Sequence, residues 1–407
     1  MKCRHCGAPL RHTFLDLGFA PLSNGYLTEA ELARPERYYP LKIMVCYGCW
    51  LVQTEDYASA NEIFGAGYAY FSSTSAGWLA HAARYADKVI REFHLSRDSM
   101  VIEVASNDGY LLKNFVAAGI PCLGIEPTAS TAAAAERHGI PVVREFFGER
   151  LGKRLADDGK HADLIVGNNV YAHVPDIDDF TRGLKSALKP DGIITLEFPH
   201  LMRMIDGSQF DTAYHEHFSY LSLYTVADIF AQAGLRVWDV EPLPTHGGSL
   251  RVYGCHAEHA RATSPAVAAV LAQEAQHGLQ SLAGYLDFQP RANRVKDDLL
   301  LFLLEQKRAG KTIAGYGAAA KGNTLLNYAG VKPDLLPFVC DAAAAKQGKF
   351  MPGSHIPILP PDALATRTPD YLLILPWNIV GEIRQLNAGL AARGTKFVTA
   401  VPKLEIG

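Results

Sequence analysis

The chain carries two Cys-x2-Cys pairs, Cys3/Cys6 and Cys46/Cys49, and these constrain its N-terminal segment more than any other feature. Two such knuckles supply the four thiolates of a tetrahedral zinc site, with Zn–S distances of about 2.3 Å. Residues 1–70 are too few to build much of a core, and metal binding supplies the missing folding free energy. With sulfur at all four positions no water reaches the ion, so a structural Zn2+ in a small zinc ribbon is expected. His5 and His12 lie close by, but a full set of cysteines leaves them unneeded as ligands. Cys122, Cys255 and Cys340 sit in apolar stretches and read as packing residues.

The remaining length, out of 407 residues, suits two large domains. Lys and Arg number 39 against 42 Asp and Glu, for a net charge of −3. That balance lacks the basic excess that neutralises phosphates, so no nucleic-acid partner is expected. No apolar run approaches the roughly 20 residues of a membrane helix, and the opening residues lack a signal-peptide stretch. No membrane partner is therefore expected. Paired cysteines of the metal-binding kind suit a reducing compartment, and the cytoplasm is the expected location.

From residue 75 the pattern alternates between helices and apolar strands. Ser75–Phe93 reads as an amphipathic helix with Trp78, Ala82, Tyr85, Val89 and Phe93 near one face. Strands are expected over 99–105, 122–126, 141–143, 163–167 and 192–198, with helices from about Asp108 and through 129–135. Such alternation predicts an α/β fold whose parallel sheet binds ligands at the carboxyl ends of its strands.

The first strand runs into Glu103-Val104-Ala105-Ser106-Asn107-Asp108-Gly109-Tyr110. Ser106, Asn107 and Asp108 can bend the backbone, and Gly109 permits close approach. Three glycines of a dinucleotide fingerprint are missing, which argues against a pyrophosphate. Acids at Glu103 and Asp108 suit a sulfonium with an amino-acid tail, and Glu126 at the next strand end can accept both ribose hydroxyls. Asn168 and Asn169 follow the fourth strand, where they could read adenine or line the pocket. Together these residues, with Ala105 inside the loop, predict an S-adenosyl-L-methionine site.

The densest polar cluster is Tyr214-His215-Glu216-His217, placed near the cofactor crevice by the strand ending at His200. His-Glu-His is not the His-Glu-x-x-His of a metalloprotease helix. On an extended stretch Tyr214 and Glu216 share one face and the histidines the other. A carbon beside a carbonyl becomes nucleophilic once its proton is removed. A neutral His can remove that proton, and tyrosine hydroxyls can donate to the enolate oxygen. Tyr68 and Tyr70 form a second aromatic cluster beside the zinc segment. His200 stands as a substrate-side candidate.

At these residues the chain resembles the sugar C-methyltransferases that act on nucleotide-linked 4-keto-deoxysugars, notably those that methylate carbon three. The resemblance covers the four-cysteine ribbon, Glu103–Leu112, Gly124-Ile125-Glu126-Pro127, Gly167–Val170, Tyr214–His217 and Gly315–Asn327. It implies three domains: zinc-binding 1–70, a class I methyltransferase Rossmann-like domain over 71–245, and a second Rossmann-like lobe over 246–407. By the same resemblance His217 is the base, Tyr214 and Glu216 are its partners, and Tyr68 is the active-site tyrosine, with Tyr70 as close competitor. The implied substrate is a nucleotide-linked keto-deoxysugar held between the last two domains.

Lys311–Gly322 reads as a strand and glycine turn opening a helix, with Asp341 ending the next strand. Lys321 at that helix start suits a phosphate, and Lys321 with Asn323 is read as contacting the sugar diphosphate. The run after Asp341 is alanine, where the family usually has Asn and Pro. A nicotinamide oxidoreductase would use the Gly315 loop but leave Glu103, Glu126 and His217 idle. A zinc-ribbon nucleic-acid methyltransferase would need a basic face.

Overall fold

A computed structural model describes residues 1–57 and 71–407, so Tyr68 and Tyr70 lie outside the described residues. The two knuckles fold alike. Gly7 N–H donates to Cys3 O and Trp50 N–H to Cys46 O, at 3.1 and 2.9 Å. Gly7 and Trp50 both take positive φ, 71° and 63°, which turns the chain back sharply after each second cysteine. Strands β1 (His12–Ala20), β2 (Tyr39–Val45) and β3 (Val52–Thr54) fill the spacer as an antiparallel sheet.

The middle of the chain supplies strands β4 (Val101–Val104), β5 (Cys122–Ile125), β6 (Val142–Val143), β7 (Ala162–Asn168) and β8 (Leu188–Pro199). Next come β9 (Ser219–Tyr220), β10 (Leu235–Leu243) and β11 (Ser249–His256). Seven of them form one sheet in the order β10-β11-β8-β7-β4-β5-β6. Pairing is parallel from β8 to β6, while β11 runs antiparallel to both β8 and β10. The order reverses between β4 and β7, which opens a crevice at their carboxyl ends. Ala76–Glu92 is a helix capped by Ser75, whose side chain accepts from Trp78 N–H, and it buries Ala82, Tyr85 and Val89. The helix expected from Asp108 begins at Leu112, because positive φ at Asn107 and Gly109 cannot continue a right-handed helix.

β9 leaves the large sheet and pairs with β3 as the fourth strand of the N-terminal sheet. The β10–β11 hairpin spans residues 245 and 246, where the sequence suggested a domain limit. Strands β12 (Ile313–Tyr316), β13 (Val339–Cys340), β14 (Ile358–Leu359), β15 (Tyr371–Ile374), β16 (Lys396–Thr399) and β17 (Glu405–Ile406) form a third sheet. Its order is β14-β13-β12-β15-β16-β17, parallel except for the last pair. The helices Pro265–Gln276 and Phe288–Arg308 precede this sheet in the chain.

The cores cross these divisions. Phe14 stacks on Phe288 with ring centroids 4.6 Å apart, inside a core that joins β1 and β2 to the C-terminal sheet. The cysteine knuckles pack instead against Leu221, Val226 and Phe230 of the middle region. Cys122, Cys255 and Cys340 are buried packing residues. Among the described residues, no helix is long and apolar enough to cross a membrane.

Candidate active site

The Sγ atoms of Cys3, Cys6, Cys46 and Cys49 all lie within 4.8 Å of one another, a spacing that fits one tetrahedral ion. Gln53 Nε2 donates to Cys3 Sγ at 3.1 Å, and Gly48 N–H to Cys46 Sγ at 3.3 Å. These donors orient and stabilise the thiolates. His5 is not a ligand. Its Nδ1 lies 2.6 Å from Asp178 and its Nε2 3.1 Å from Asp228, so it fastens the knuckle to the middle region.

The cofactor loop is strained at its turn. Ala105, Asn107 and Gly109 take φ of 57°, 49° and 79°, a sequence of left-handed residues costly for the two that are not glycine. Glu126 holds the loop, accepting from Asn107 N–H at 3.0 Å and Thr128 N–H at 2.9 Å. Burial drives Glu103 well above the usual carboxylate range, partly offset by the Tyr110 hydroxyl. Asn107 Oδ1 and Asp108 Oδ2 accept from Ser72 and Ser73 N–H groups, so the chain beyond residue 70 lands on this loop. Around the crevice Asp108 Oδ1, both amide atoms of Asn168 and Asn169 Oδ1 are buried without partners among the described residues. Such orphans are rare in a finished core and fit a polar ligand laid across the strand ends.

Facing the crevice, Tyr214–His217 does not run extended. His217 N–H donates to Tyr214 O at 2.9 Å, closing a turn that brings the Tyr214 and His217 rings to 4.0 Å. The expected split of faces is therefore broken. His215 turns away to Pro40 O, and Glu216 accepts from Asn24 Nδ2 in the turn after β1. His217 Nδ1 lies 2.8 Å from Thr212 O. A carbonyl only accepts, so Nδ1 carries the proton and Nε2 the basic lone pair. Desolvation, with His173, Lys321 and His246 nearby, holds His217 well below the usual histidine range, which keeps it neutral.

The C-terminal lobe closes the other side. Lys321 starts the helix Ala320–Tyr328, with its ammonium 4.6 Å over the Trp377 ring and 2.7 Å from Asn378 Oδ1. Trp377 Nε1 donates to Asp211 Oδ2 at 2.7 Å, and burial lifts Asp211 to about 6. Asn323 donates to Ser23 O, leaving its buried Oδ1 without a partner among the described residues. His200 lies deeper, just past the end of β8. Its Nε2 is 2.7 Å from Glu274, which also caps the helix Leu223–Gln232 through two backbone N–H groups, so His200 braces the core. Asp341, just after β13, accepts from Ala318 and Ala343 N–H groups and ties its own loop together. Sequence reading missed His173, 4.7 Å from His217, together with Asp211, His246 and Trp377. These are isolated polar residues in loops, and only the His246-Gly247-Gly248 run gave a local signal.

A doubly wound sheet with a reversed hairpin, an acid-held glycine loop at its switch point and a buried neutral histidine define an adenosylmethionine-dependent methyltransferase. Comparison with known proteins gives the family. The family model for a C-methyltransferase C-terminal domain matches residues 244–402, that for a methyltransferase domain 78–240, and that for a zinc binding domain 3–64. C-methyltransferase NovU of Streptomyces niveus is 34% identical over 402 residues, 99% of this chain and 96% of that protein. The chain therefore belongs to the C-methyltransferase family with an N-terminal zinc-binding domain. A ubiquinone biosynthesis O-methyltransferase of Rhodopseudomonas palustris is 23% identical over 158 residues, 34% of this chain and 62% of that one. Among solved structures, magnesium protoporphyrin IX methyltransferase from Synechocystis, with bound SAH, aligns over 44% of this chain and 84% of its own, at 13% identity. Its TM-score of 0.36 is too low to add to the assignment.

Proposed function

We propose that this C-methyltransferase methylates carbon three of a nucleotide-linked 4-keto-6-deoxysugar through an enolate. The observation that carries the reading is the His217 tautomer: Thr212 O takes the Nδ1 proton and leaves Nε2 as the basic nitrogen. His217 takes the proton beside the ketone, and Tyr214, packed on its ring, holds the imidazole in place. Glu216, anchored by Asn24, fixes the turn from the N-terminal side. Bound adenosylmethionine would supply the electrophilic methyl group, held by Glu103, the Ala105–Gly109 loop, Glu126, Asn168 and Asn169. Lys321 is the group we assign to the substrate diphosphate, with Asn323 beside it. The domains implied by the sequence, 1–70, 71–245 and 246–407, then correspond to zinc, cofactor and sugar-nucleotide binding.

Incubation with adenosylmethionine and a panel of TDP- and GDP-linked 4-keto-6-deoxysugars, read by mass spectrometry, tests this. A gain of one methyl, lost when the ketone is first reduced, is the expected result. Methylation that survives reduction of the ketone sinks the enolate, and no methylation of any keto-sugar sinks the substrate class.

A further inference from the structure

Between β10 and β11 the chain makes an unusual turn. His246, Gly247 and Gly248 follow one another with φ of 55°, 91° and 118°. His246 is the costly member, since a residue with a Cβ rarely stays in that region unless its surroundings force it. Those surroundings are tight. A Cβ on Gly247 would come within 2.4 Å of Trp377 Cη2, and one on Gly248 within 2.7 Å of Arg203 Cγ. Gln209 Nε2 donates to Gly247 O at 2.8 Å, and the Trp78 ring lies 5.1 Å from the imidazole. The turn is thus wedged between the C-terminal lobe and the middle region, where both meet the cleft.

The ring is oriented as firmly as its backbone. Asn169, itself held at φ 53° with its N–H on Glu197 O, places Nδ2 3.0 Å from His246 Nε2. A carboxamide nitrogen only donates, so Nε2 accepts and the ring proton sits on Nδ1. Among the described residues nothing else bonds this imidazole, and His246 is only half-buried, so the ring keeps an open edge. His246 and Lys321 both lie close enough to act electrostatically on His217. Desolvation, helped by Lys321, lowers His246 to about 4 and keeps it neutral near pH 7.

We propose that His246 donates its Nδ1–H to the oxygen of the substrate ketone, stabilising the charge that gathers there as His217 removes the neighbouring proton. The inference rests on the enolate reading above and assigns its oxyanion donor. A neutral imidazole suits the role, because it donates without protonating the enolate outright.

Hydrogen–deuterium exchange at the carbon beside the ketone isolates this step. It is followed in D2O with S-adenosylhomocysteine in place of the methyl donor, beside methyl transfer and adenosylmethionine affinity. H246F should lose about 10²–10³-fold in both exchange and turnover, with adenosylmethionine affinity within threefold of the parent enzyme. H246N, whose amide nitrogen falls near the place of Nδ1, should recover at least tenfold over H246F. Exchange in H246F at the parent rate overturns the proposal, whether or not methyl transfer survives. So does equal activity of H246N and H246F, which also decides the matter should H246F bind the cofactor poorly. Parent enzyme that neither exchanges nor methylates any keto-sugar overturns the enolate reading itself, a distinct result.

Discussion

At the scale of single residues, the site depends on which nitrogen of each histidine is protonated. His217 offers Nε2 because Thr212 O claims Nδ1, whereas His246 offers Nδ1–H because Asn169 claims Nε2. Replacing His217 with Asn should abolish turnover, by at least the 10²–10⁴-fold that a positioned base supplies, while calorimetry finds adenosylmethionine binding near normal. Full activity in that variant removes His217 as the base. The pH profile follows from the same environment. A base works only when neutral, and His217 is held well below 6.5 by desolvation first, with His173, Lys321 and His246 nearby. Lowering the pH to 6.5 therefore leaves it unprotonated, and the acid limb of kcat/KM should fall clearly below 6.5. A limb at or above 6.5 would show that the pocket is wetter than described.

Elements meet closely where side chains are absent. The helices Glu149–Asp157 and Ile177–Ala187 pack glycine to glycine, and a Cβ on Gly152 would lie 2.4 Å from Gly183 O. The obstacle is backbone, so it cannot swing aside. Gly152→Ala should destabilise the protein by about 1–3 kcal/mol through overpacking, measured by chemical denaturation. Neither glycine belongs to the assigned site, so activity per folded molecule should be unchanged. A variant as stable as the parent would mean that the helices separate at little cost.

The whole molecule is tied together by the zinc knuckles. β3 pairs with β9, placing Val52 opposite Tyr220, only a few residues beyond His217. Thr54 also donates its hydroxyl to His217 O. Stripping zinc with a chelator, or replacing Cys46 with Ser, should therefore release the N-terminal sheet and abolish methyl transfer. Adenosylmethionine binding should persist, because its loop belongs to β4 and β5. Metal analysis, calorimetry and turnover on the same sample check this, and methyl transfer by zinc-free protein would contradict it.

Much of this arrangement is legible along the chain, because the signals are local. The Cys-x2-Cys pairs, the alternation that builds the large sheet, and the Glu103–Gly109 and Glu126 strand ends each depend on neighbours in sequence. Lys321 at its helix start belongs with them. What the sequence could not decide depends on long-range packing. The turn that joins Tyr214 to His217 and sends His215 away is set by contacts with Pro40, Asn24 and Thr212. His200 follows the end of β8, but its partner Glu274 lies far along the chain. His246 enters the site only because β11 returns beside β8 and Trp377 arrives from another sheet. Periodicity and spacing record what a residue does for its own element, and a catalytic cleft is assembled from the surfaces those elements leave over, so its final composition is fixed only when they pack.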